Sequence, residues 1–188
     1  MQDDPRPDEG LMLAYRDGDA AAFEALYARH RSRLYRYLAH QCGDARLAEE
    51  LYQDIWLRVI NARADYEVSA KFTTWLYRIA HHRLIDHYRK HARERLREWE
   101  SEEASIDDYP APASETPPAE VERLQMRERL AGALAELPAP QREAFLMAEE
   151  GGMTLEEIAS ATGTGRETVK SRLRYALGKL RHSLKDLL

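Results

Sequence analysis

Apolar residues in the first half of the chain recur at three- and four-residue steps, the spacing of one face of an α-helix. The pattern predicts one helix from Asp19, a good N-cap, to Cys42, and a second that begins at Asp44. It breaks over residues 63–71 and resumes in a third helix from about Thr73. The inward stripes of the three helices comprise Phe23, Leu26, Tyr27, Leu34, Tyr37 and Leu38; Leu47, Leu51, Ile55 and Val59; and Leu76, Ile79, Ala80 and Leu84.

The second half of the chain has shorter periodic segments, which proline and glycine separate. We predict helices over Val121–Leu134 and Gln141–Glu149, with Pro138 and Pro140 between them. The N-terminus is acidic, and residues 1–10 are predicted to be an N-terminal tail.

Two capping-box signatures lie ten residues apart near the C-terminus. Thr154 stands three residues before Glu157, and Thr164 stands three residues before Glu167. With Gly163 in the connection, this spacing predicts a helix-turn-helix, with a structural helical hairpin as the alternative. Its inner residues would be Ile158, Ala159, Val169 and Leu173.

Composition and the position of the prolines divide the chain into two helical units. Apolar residues make up 44% of the 188 residues and charged residues 32%, which is typical of helical domains with modest cores. Four prolines between residues 110 and 118 stand among Ala, Ser, Glu and Asp. We therefore predict an all-α fold of two small domains, residues 11–97 and 121–188, joined by a flexible acidic linker, residues 98–120. Because the linker offers little to dock against, we expect the domains to move independently in the free protein.

Basic residues are concentrated in two segments, and an acidic segment separates them. Residues 71–97 carry eight Lys or Arg against two acids, a net charge of +6, and residues 166–188 carry seven against two, a net charge of +5. Residues 98–122 hold nine acids and neither Lys nor Arg, a net charge of −9. Two basic patches suit a two-point polyanion binder, although either patch alone could be a solvated helix face.

Aromatic residues interleave with the basic ones in the first patch and just before it. They are Tyr66, Phe72, Trp75, Tyr77 and Tyr88. Such interleaving is typical of single-strand binders, in which bases stack on the rings. Trp75 could equally lie in the core beside Leu76, and Tyr66 is open to both interpretations.

Nothing in the sequence indicates catalysis or a cofactor. His87 and His91 are spaced i, i+4 and could share a zinc ion, but no carboxylate or thiolate stands at ligand spacing on the same helical face. The sequence has no nucleophile elbow, phosphate loop or metalloprotease motif. We expect no enzymatic activity, no metal and no cofactor.

The sequence also lacks membrane and secretion signals. It has no run of about 18 apolar residues, and its acidic N-terminus lacks the apolar stretch of a signal peptide. We expect a cytoplasmic protein that does not insert into a membrane.

Four segments together resemble a known family. They are GDAAAFEALYARHRSRLYRYL, DARLAEELYQDIWLRVINA, FTTWLYRIAHHRLIDHYRKHAR and MTLEEIASATGTGRETVKSRLRYALGKLR. In order and spacing they resemble the two conserved domains of extracytoplasmic-function sigma factors, over nearly all of Leu11–Arg95 and Val121–Arg181. The resemblance implies a factor that lends promoter recognition to bacterial RNA polymerase, with residues 11–97 as sigma domain 2 and residues 121–188 as sigma domain 4.

The resemblance also implies partners and contact residues. The EELYQDIWLRV helix is similar to the surface that grips the β′ coiled coil of core polymerase, which implies contacts by Glu50, Gln53, Asp54, Leu57 and Arg58. Leu57 suits this role because it lies off the apolar stripe. The β flap of the polymerase, promoter DNA and an anti-sigma factor are the other partners implied.

The segment from Asn61 to Lys71 and the helix after it resemble the part that opens the minus-ten element and captures an unpaired base. A flipped base needs a pocket and a stacking partner, because its extrusion costs a few kcal/mol. The positions implied are Asn61, Arg63, Asp65, Tyr66, Lys71, Phe72, Arg78, His82, Arg83, Arg89 and Lys90. Many family members carry Asn at the position of His82.

The helix-turn-helix resembles the reader of the minus-thirty-five element. The positions implied are Arg166, Glu167, Thr168, Lys170, Ser171, Arg174 and Tyr175. Two alternative functions are a helix-turn-helix response regulator or activator that binds duplex DNA alone, and an adaptor that binds only protein through residues 11–95. The first leaves the EELYQDIWLRV surface and the basic third helix unexplained.

Overall fold

The computed structural model describes residues 4–99 and 118–185, with side chains for 4–91 and 125–185, and all regular elements in these ranges are helical. The α-helices are α1 (Asp8–Arg16), α2 (Ala20–Cys42), α3 (Ala45–Asn61), α4 (Phe72–Trp99), α5 (Pro118–Ala135), α6 (Ala139–Glu149), α7 (Leu155–Thr162) and α8 (Arg166–Ser183). A short 3₁₀ turn, Arg63–Asp65, follows α3. The predicted all-α fold is confirmed. Most of the predicted linker lies outside the described residues.

The predicted helix starts are confirmed where a side chain satisfies the free N–H groups of the first turn. The carboxylate of Asp19 accepts from the N–H of Ala22, and that of Asp44 accepts from the N–H of Leu47. At the start of α7, Thr154 and Glu157 form a complete capping box.

The second predicted capping box is wrong. The N-cap of α8 is Gly165, which contributes no side-chain bond, and the hydroxyl of Thr164 lies 3.0 Å from that of Thr162. Glu167 is paired with basic residues instead. The helix begins one residue later than this signature predicts, and Gly163 ends α7 in the left-handed conformation that glycine favours.

Helix α1 begins inside the predicted N-terminal tail. Asp8 lies 2.6 Å from both Arg29 and His30 of α2, and the guanidinium of Arg29 also bonds to the backbone carbonyl of Arg6. Residues 4–10 are therefore attached to the N-terminal unit. The sequence gives little local signal for this, because the partners lie more than twenty residues away.

The N-terminal unit is formed by α1 to α4, which pack around one apolar core. Helix α2 contacts α1 and α3, and α4 contacts α1 and α3. The fully buried side chains include Leu11, Met12, Leu26, Leu34, Leu38, Leu51, Ile55, Val59 and Leu76. Each large apolar side chain contributes roughly 1.5–3 kcal/mol by leaving water, so this core accounts for the stability of the unit.

The C-terminal unit is formed by α5 to α8. Helix α8 contacts α5, α6 and α7, and α6 contacts α7. Its buried residues include Leu134, Leu146, Met147, Ile158, Val169, Ala176 and Leu180. Burial of Ile158 and Val169 agrees with the predicted inner face of the helix-turn-helix.

The two units contact each other directly, through α4 with α7 and through α2 with α6. Glu143 of α6 is central: its Oε1 accepts from the hydroxyl of Tyr37 at 3.1 Å and lies 2.7 Å from Nδ1 of His81. Tyr37 is fully buried, and both its burial and the Glu143 carboxylate raise its pKa well above the usual value. The phenol therefore remains a hydrogen-bond donor.

Further polar contacts flank this cluster. Arg36 pairs with Glu150 at 2.7 Å, and Arg142 donates to the side chain of Gln41 at 2.9 Å. The expectation of independent domains therefore differs from the structure. Helices of the two units supply these contacts themselves.

No helix among the described residues combines the length and the apolar character that a membrane span requires.

We predict that Glu143→Ala destabilises the docked arrangement, because it removes the acceptor of a buried hydroxyl. The cost should be about 1–3 kcal/mol, which corresponds to a fall in melting temperature of roughly 2–12 °C. Glu149→Ala, at an exposed position of the same helix, is the control. Small-angle scattering should show expansion for the first variant alone; identical scattering and melting curves for both variants would contradict the role of Glu143.

Candidate polymerase and nucleic-acid interfaces

The outer face of α3 is exposed where the sequence predicts a protein contact. Leu57 is 56% exposed, the largest exposed fraction among the large apolar side chains described. Glu50, Gln53 and Arg58 are also exposed. Gln53 donates to Glu49 at 2.9 Å, one turn earlier. An apolar side chain surrounded by charged and amide groups on one helix face is suited to binding another protein.

Asp54 differs from its neighbours because it is tied to α4. Its carboxylate accepts from the guanidinium of Arg83, and Arg58 lies 3.3 Å away. Burial raises the pKa of Asp54, but the bonds and charges of the two arginines outweigh this effect and leave the pKa below its usual value. The Arg83 side chain is only 19% exposed. Arg83, predicted to contact minus-ten DNA, thus lies in an internal ion pair.

Two aromatic residues predicted to contact DNA lie in the core instead. Tyr66 is 2% exposed and Phe72 is fully buried. Their rings pack against Trp75, with centroid separations of 5.0 and 5.8 Å. Burial, with the nearby Glu9 and Asp8 carboxylates, raises the pKa of Tyr66 to about 12. In this arrangement neither ring can stack on a base, which differs from the sequence prediction.

A groove opens beside this aromatic cluster. It has a volume of about 450 Å³ and is lined by Arg58, Asn61, Ala62, Trp75, Ile79 and His82. Trp75 is half-buried, so one part of its ring packs on Tyr66 while another part reaches the groove. The two interpretations of Trp75, core residue and stacking residue, are therefore compatible.

The remaining predicted minus-ten residues have different surroundings. Six are exposed: Asn61, Asp65, Arg78, His82, Arg89 and Lys90. Arg63 is also exposed, and its guanidinium lies 5.2 Å from the centre of the Tyr15 ring. Lys71 pairs with Glu157 of α7 at 2.8 Å, and this bond raises the pKa of Lys71 and lowers that of Glu157. Lys71 thus contacts the C-terminal unit.

The outer face of α8 carries the predicted minus-thirty-five residues. Arg166, Lys170 and Arg174 are exposed at four-residue steps, together with Glu167, Thr168 and Tyr175, while Ser171 is half-buried. The guanidinium of Arg174 lies 5.1 Å from the centre of the Tyr175 ring, which is 55% exposed. At the protein surface, the attraction between a cation and an aromatic face contributes about 0.5–1 kcal/mol.

The three basic residues of this face are not equivalent. Arg166 lies 2.5 Å from Glu156 and 2.9 Å from Glu167, and these carboxylates raise its pKa further. Lys170 has a longer contact with Glu167, at 3.4 Å. Arg166 is thus the most neutralised of the three, and the positive charge available to a polyanion is concentrated at Lys170 and Arg174.

The predicted histidine pair lies on α4, with the rings of His87 and His91 4.1 Å apart. Among the side chains that the structure describes, those of residues 4–91 and 125–185, no group of three His, Cys, Asp or Glu could hold a metal ion.

Comparison with known proteins decides the family. Residues 26–94 match the model of sigma-70 region 2, and residues 127–180 match that of sigma-70 region 4. The RNA polymerase sigma factor CarQ of Myxococcus xanthus is 34% identical over 94% of this chain and 97% of its own length. The extracytoplasmic-function sigma factor RpoE of Cereibacter sphaeroides is 36% identical over 93% of both chains.

The chain belongs to the extracytoplasmic-function sigma factors.

Sigma factors of this class act in transcription initiation and catalyse no reaction themselves. Solved sigma factor structures share the fold. The sigma factor RpoE, in complex with the anti-sigma factor NepR from Bartonella quintana, superposes with a TM-score of 0.68 over 87% of this chain and 96% of its own, at 23% identity. CnrH, in complex with the cytosolic domain of CnrY, superposes with a TM-score of 0.69 over 95% of this chain and 97% of its own, also at 23% identity.

Several residues that position these surfaces of the sigma factor are absent from the sequence prediction. Glu143 bonds to Tyr37 and His81, and Glu9 accepts from the backbone N–H of Phe72 at 2.7 Å. Both pairings join segments more than sixty residues apart. Local periodicity does not predict contacts between such distant segments.

We predict that Asp54→Ala lowers the free energy of unfolding by about 1–2 kcal/mol, because Arg83 is mostly buried and loses its carboxylate. Gln53→Ala, on the exposed face, should change it by less than about 0.5 kcal/mol. Since the pKa of Asp54 is lower in the folded state, its stabilisation is present at neutral pH and is lost as the pH falls below 3.8. Chemical denaturation at pH 7 and pH 3 measures the stability difference between the variants and its dependence on pH. Equal stability of Asp54→Ala and Gln53→Ala at pH 7 would refute the structural role of Asp54.

Proposed function

We propose that three surfaces of this sigma factor divide promoter recognition and polymerase binding between them. The exposed basic face of α8 reads the minus-thirty-five element, the groove beside Trp75 holds an unpaired minus-ten base, and the outer face of α3 binds core polymerase. The observation that carries the proposal is the α8 face, where Lys170 and Arg174 lie exposed on the second helix of a capped helix-turn-helix.

The minus-thirty-five role follows from the geometry of α8. A helix that enters the major groove contacts base edges with side chains from its N-terminal half, while other cations contact phosphates. Arg174 can pair bidentately with guanine, since a guanidinium matches the two acceptors of that base. Lys170, a point charge, is better suited to phosphate. Arg166, already bonded to two carboxylates, must exchange them before it can contact DNA.

The minus-ten role is supported by the groove. An unpaired base needs stacking and hydrogen bonds to its edge. Trp75 offers part of a ring, while Asn61 and His82 offer polar groups along the same wall. Arg78, Arg89 and Lys90 add exposed positive charge on α4, where the backbone of a single strand could run.

The polymerase role is supported by the exposed Leu57 and its polar neighbours on α3. Core polymerase is the proposed partner, through its β′ coiled coil on this face and its β flap elsewhere on the chain. Asp54 contributes indirectly, because its bond to Arg83 joins the polymerase-binding helix to the helix beside the groove.

The docked arrangement must open before the chain can occupy a promoter. Lys71 and Glu157 lie 2.8 Å apart, so the loop before α4 and the helix-turn-helix are side by side. The minus-ten and minus-thirty-five elements are about 25 base pairs apart, which is roughly 85 Å along B-DNA. We propose that polymerase binding separates the units and that the docked form is the one an anti-sigma factor holds in the cytoplasm. Of two solved structures with this fold, one contains a sigma factor in complex with an anti-sigma factor. The other contains CnrH in complex with the cytosolic domain of CnrY.

We predict different outcomes for two substitutions on α8. With core polymerase and a randomised minus-thirty-five element, Arg174→Ala should cost about 1–3 kcal/mol and relax the preference at one base pair. Lys170→Ala should weaken binding to all sequences alike and reduce the slope of log affinity against log salt concentration by about one.

Glu149→Ala, exposed on α6 and outside the proposed surfaces, serves as the control and should select the parental sequence. If neither α8 substitution alters the selected sequence or the activity, this face does not read DNA.

A further inference from the structure

Residues 62–71, the segment that joins α3 to α4 beside the groove, have few bonds of their own. Asp65 and Tyr66 bond back to Ala62 and Arg63 in the short 3₁₀ turn, and Ser69 bonds to Glu67. Residues 67–71 are all exposed. A segment with so few internal bonds holds one shape only when its neighbours fix it.

Helix α1 supplies these fixing contacts at three points. Near the start of the segment, the Arg63 guanidinium lies 5.2 Å from the centre of the Tyr15 ring. At its middle, Arg16 donates to the backbone carbonyl of Tyr66 at 3.3 Å. At its end, Glu9 accepts from the backbone N–H of Phe72 at 2.7 Å. Tyr15 and Arg16 lie in the last turn of α1 and Glu9 lies in its first turn, so both ends of the helix contact the segment.

The Glu9 bond takes the place of an N-cap. Phe72 is the first residue of α4, and its N–H is one of the four that have no partner within the helix. Lys71, which precedes it, has no acceptor in its side chain. A carboxylate from another helix therefore caps α4, and its negative charge also suits the positive end of the helix dipole.

Helix α1 is itself held firmly against the unit. Leu11 and Met12 are fully buried, and Asp8 bonds to Arg29 and His30 of α2. The helix also lies before residue 26, where the match to sigma-70 region 2 begins. Its contacts with the segment are therefore a feature that the family match does not cover.

We propose that Glu9 and Arg16 are positioning residues for minus-ten recognition. They hold residues 62–71 and the first turn of α4 in the conformation that shapes the groove of Asn61, Trp75 and His82. This inference rests on the proposed minus-ten role of that groove. Neither residue lines the groove, so both act on DNA through the segment they hold.

The test uses the full chain with core polymerase. Open-complex formation is followed by the fluorescence of 2-aminopurine in the non-template minus-ten strand, on a duplex promoter and on one already unpaired over that element. Glu9→Ala and Arg16→Ala are each expected to slow opening of the duplex promoter at least fivefold and to relax selection at the minus-ten element. Affinity for core polymerase and selection at the minus-thirty-five element should stay within twofold of the parent.

Two variants separate positioning from loss of fold. Glu9→Gln keeps an acceptor oxygen for the Phe72 N–H and should recover most of the opening rate. Glu24→Ala, at an exposed acid of α2, should behave as the parent. A fall in core affinity equal to the fall in opening rate, or no recovery by Glu9→Gln, would mark Glu9 as merely structural and overturn the proposal.

Asn61→Ala tests the groove itself. If Asn61→Ala slows opening while Glu9→Ala and Arg16→Ala do not, the groove role stands and the positioning role of α1 is wrong. If Asn61→Ala has no effect while the α1 variants slow opening, α1 acts by another route and the positioning proposal is again overturned. If none of the three variants changes promoter opening or minus-ten selection, the proposed role of the groove and the positioning proposal are both wrong.

Discussion

A largely buried carboxylate, that of Glu143, stands at the centre of the contact between the two halves of this sigma factor. It accepts from the hydroxyl of Tyr37 and lies against His81, so it connects α6 of the C-terminal unit to α2 and α4 of the N-terminal unit. Its side chain is about one-tenth exposed, and a carboxylate so far removed from water is stable only with partners in place. The relative position of the helix-turn-helix and the minus-ten segment depends on these bonds.

The outer contacts of the interface differ in strength from this centre. The bonds of Lys71 with Glu157 and of Arg36 with Glu150 each involve an exposed cation, and pairs of this kind contribute about 0–1 kcal/mol. Such pairs exchange partners readily, so Lys71 can leave Glu157 for a phosphate at little cost. A small, largely buried polar centre surrounded by weak ion pairs is thus suited to an arrangement that holds the free chain together and still opens on polymerase.

The sequence predicts those parts of the fold that depend on local chemistry. The structure confirms the apolar stripes of α2, α3 and α4, which depend only on local spacing. It also confirms the caps Asp19, Asp44 and Thr154, each of which lies within a few residues of the N–H group that it bonds. The exposed basic face of α8 is predictable for the same reason. Thr164 shows the limit of such patterns: its hydroxyl pairs with Thr162, and Gly165 takes the N-cap position.

Contacts between distant segments could not be predicted in this way. Tyr66 and Phe72 stand in a basic, aromatic stretch that suggests DNA contact, yet the neighbouring helices enclose them. Arg83 has the outward spacing of a DNA contact but bonds to Asp54, 29 residues earlier. The docking of the units is likewise not predictable from the sequence, because the composition of the linker carries no information on the faces of α4 and α7 that meet. In each case a tertiary partner decides between two roles that the local sequence allows.

The most direct test of this account is the distance between the two units before and after promoter binding. Spin labels at Ser69 and Ser160, both exposed, with Cys42 replaced by serine, would report it by pulsed electron paramagnetic resonance. We expect one short distance in the free chain, a broader and longer distribution in Glu143→Ala, and an increase of several tens of ångströms in the polymerase–promoter complex. A distance in the free chain as long as that in the promoter complex would contradict this account.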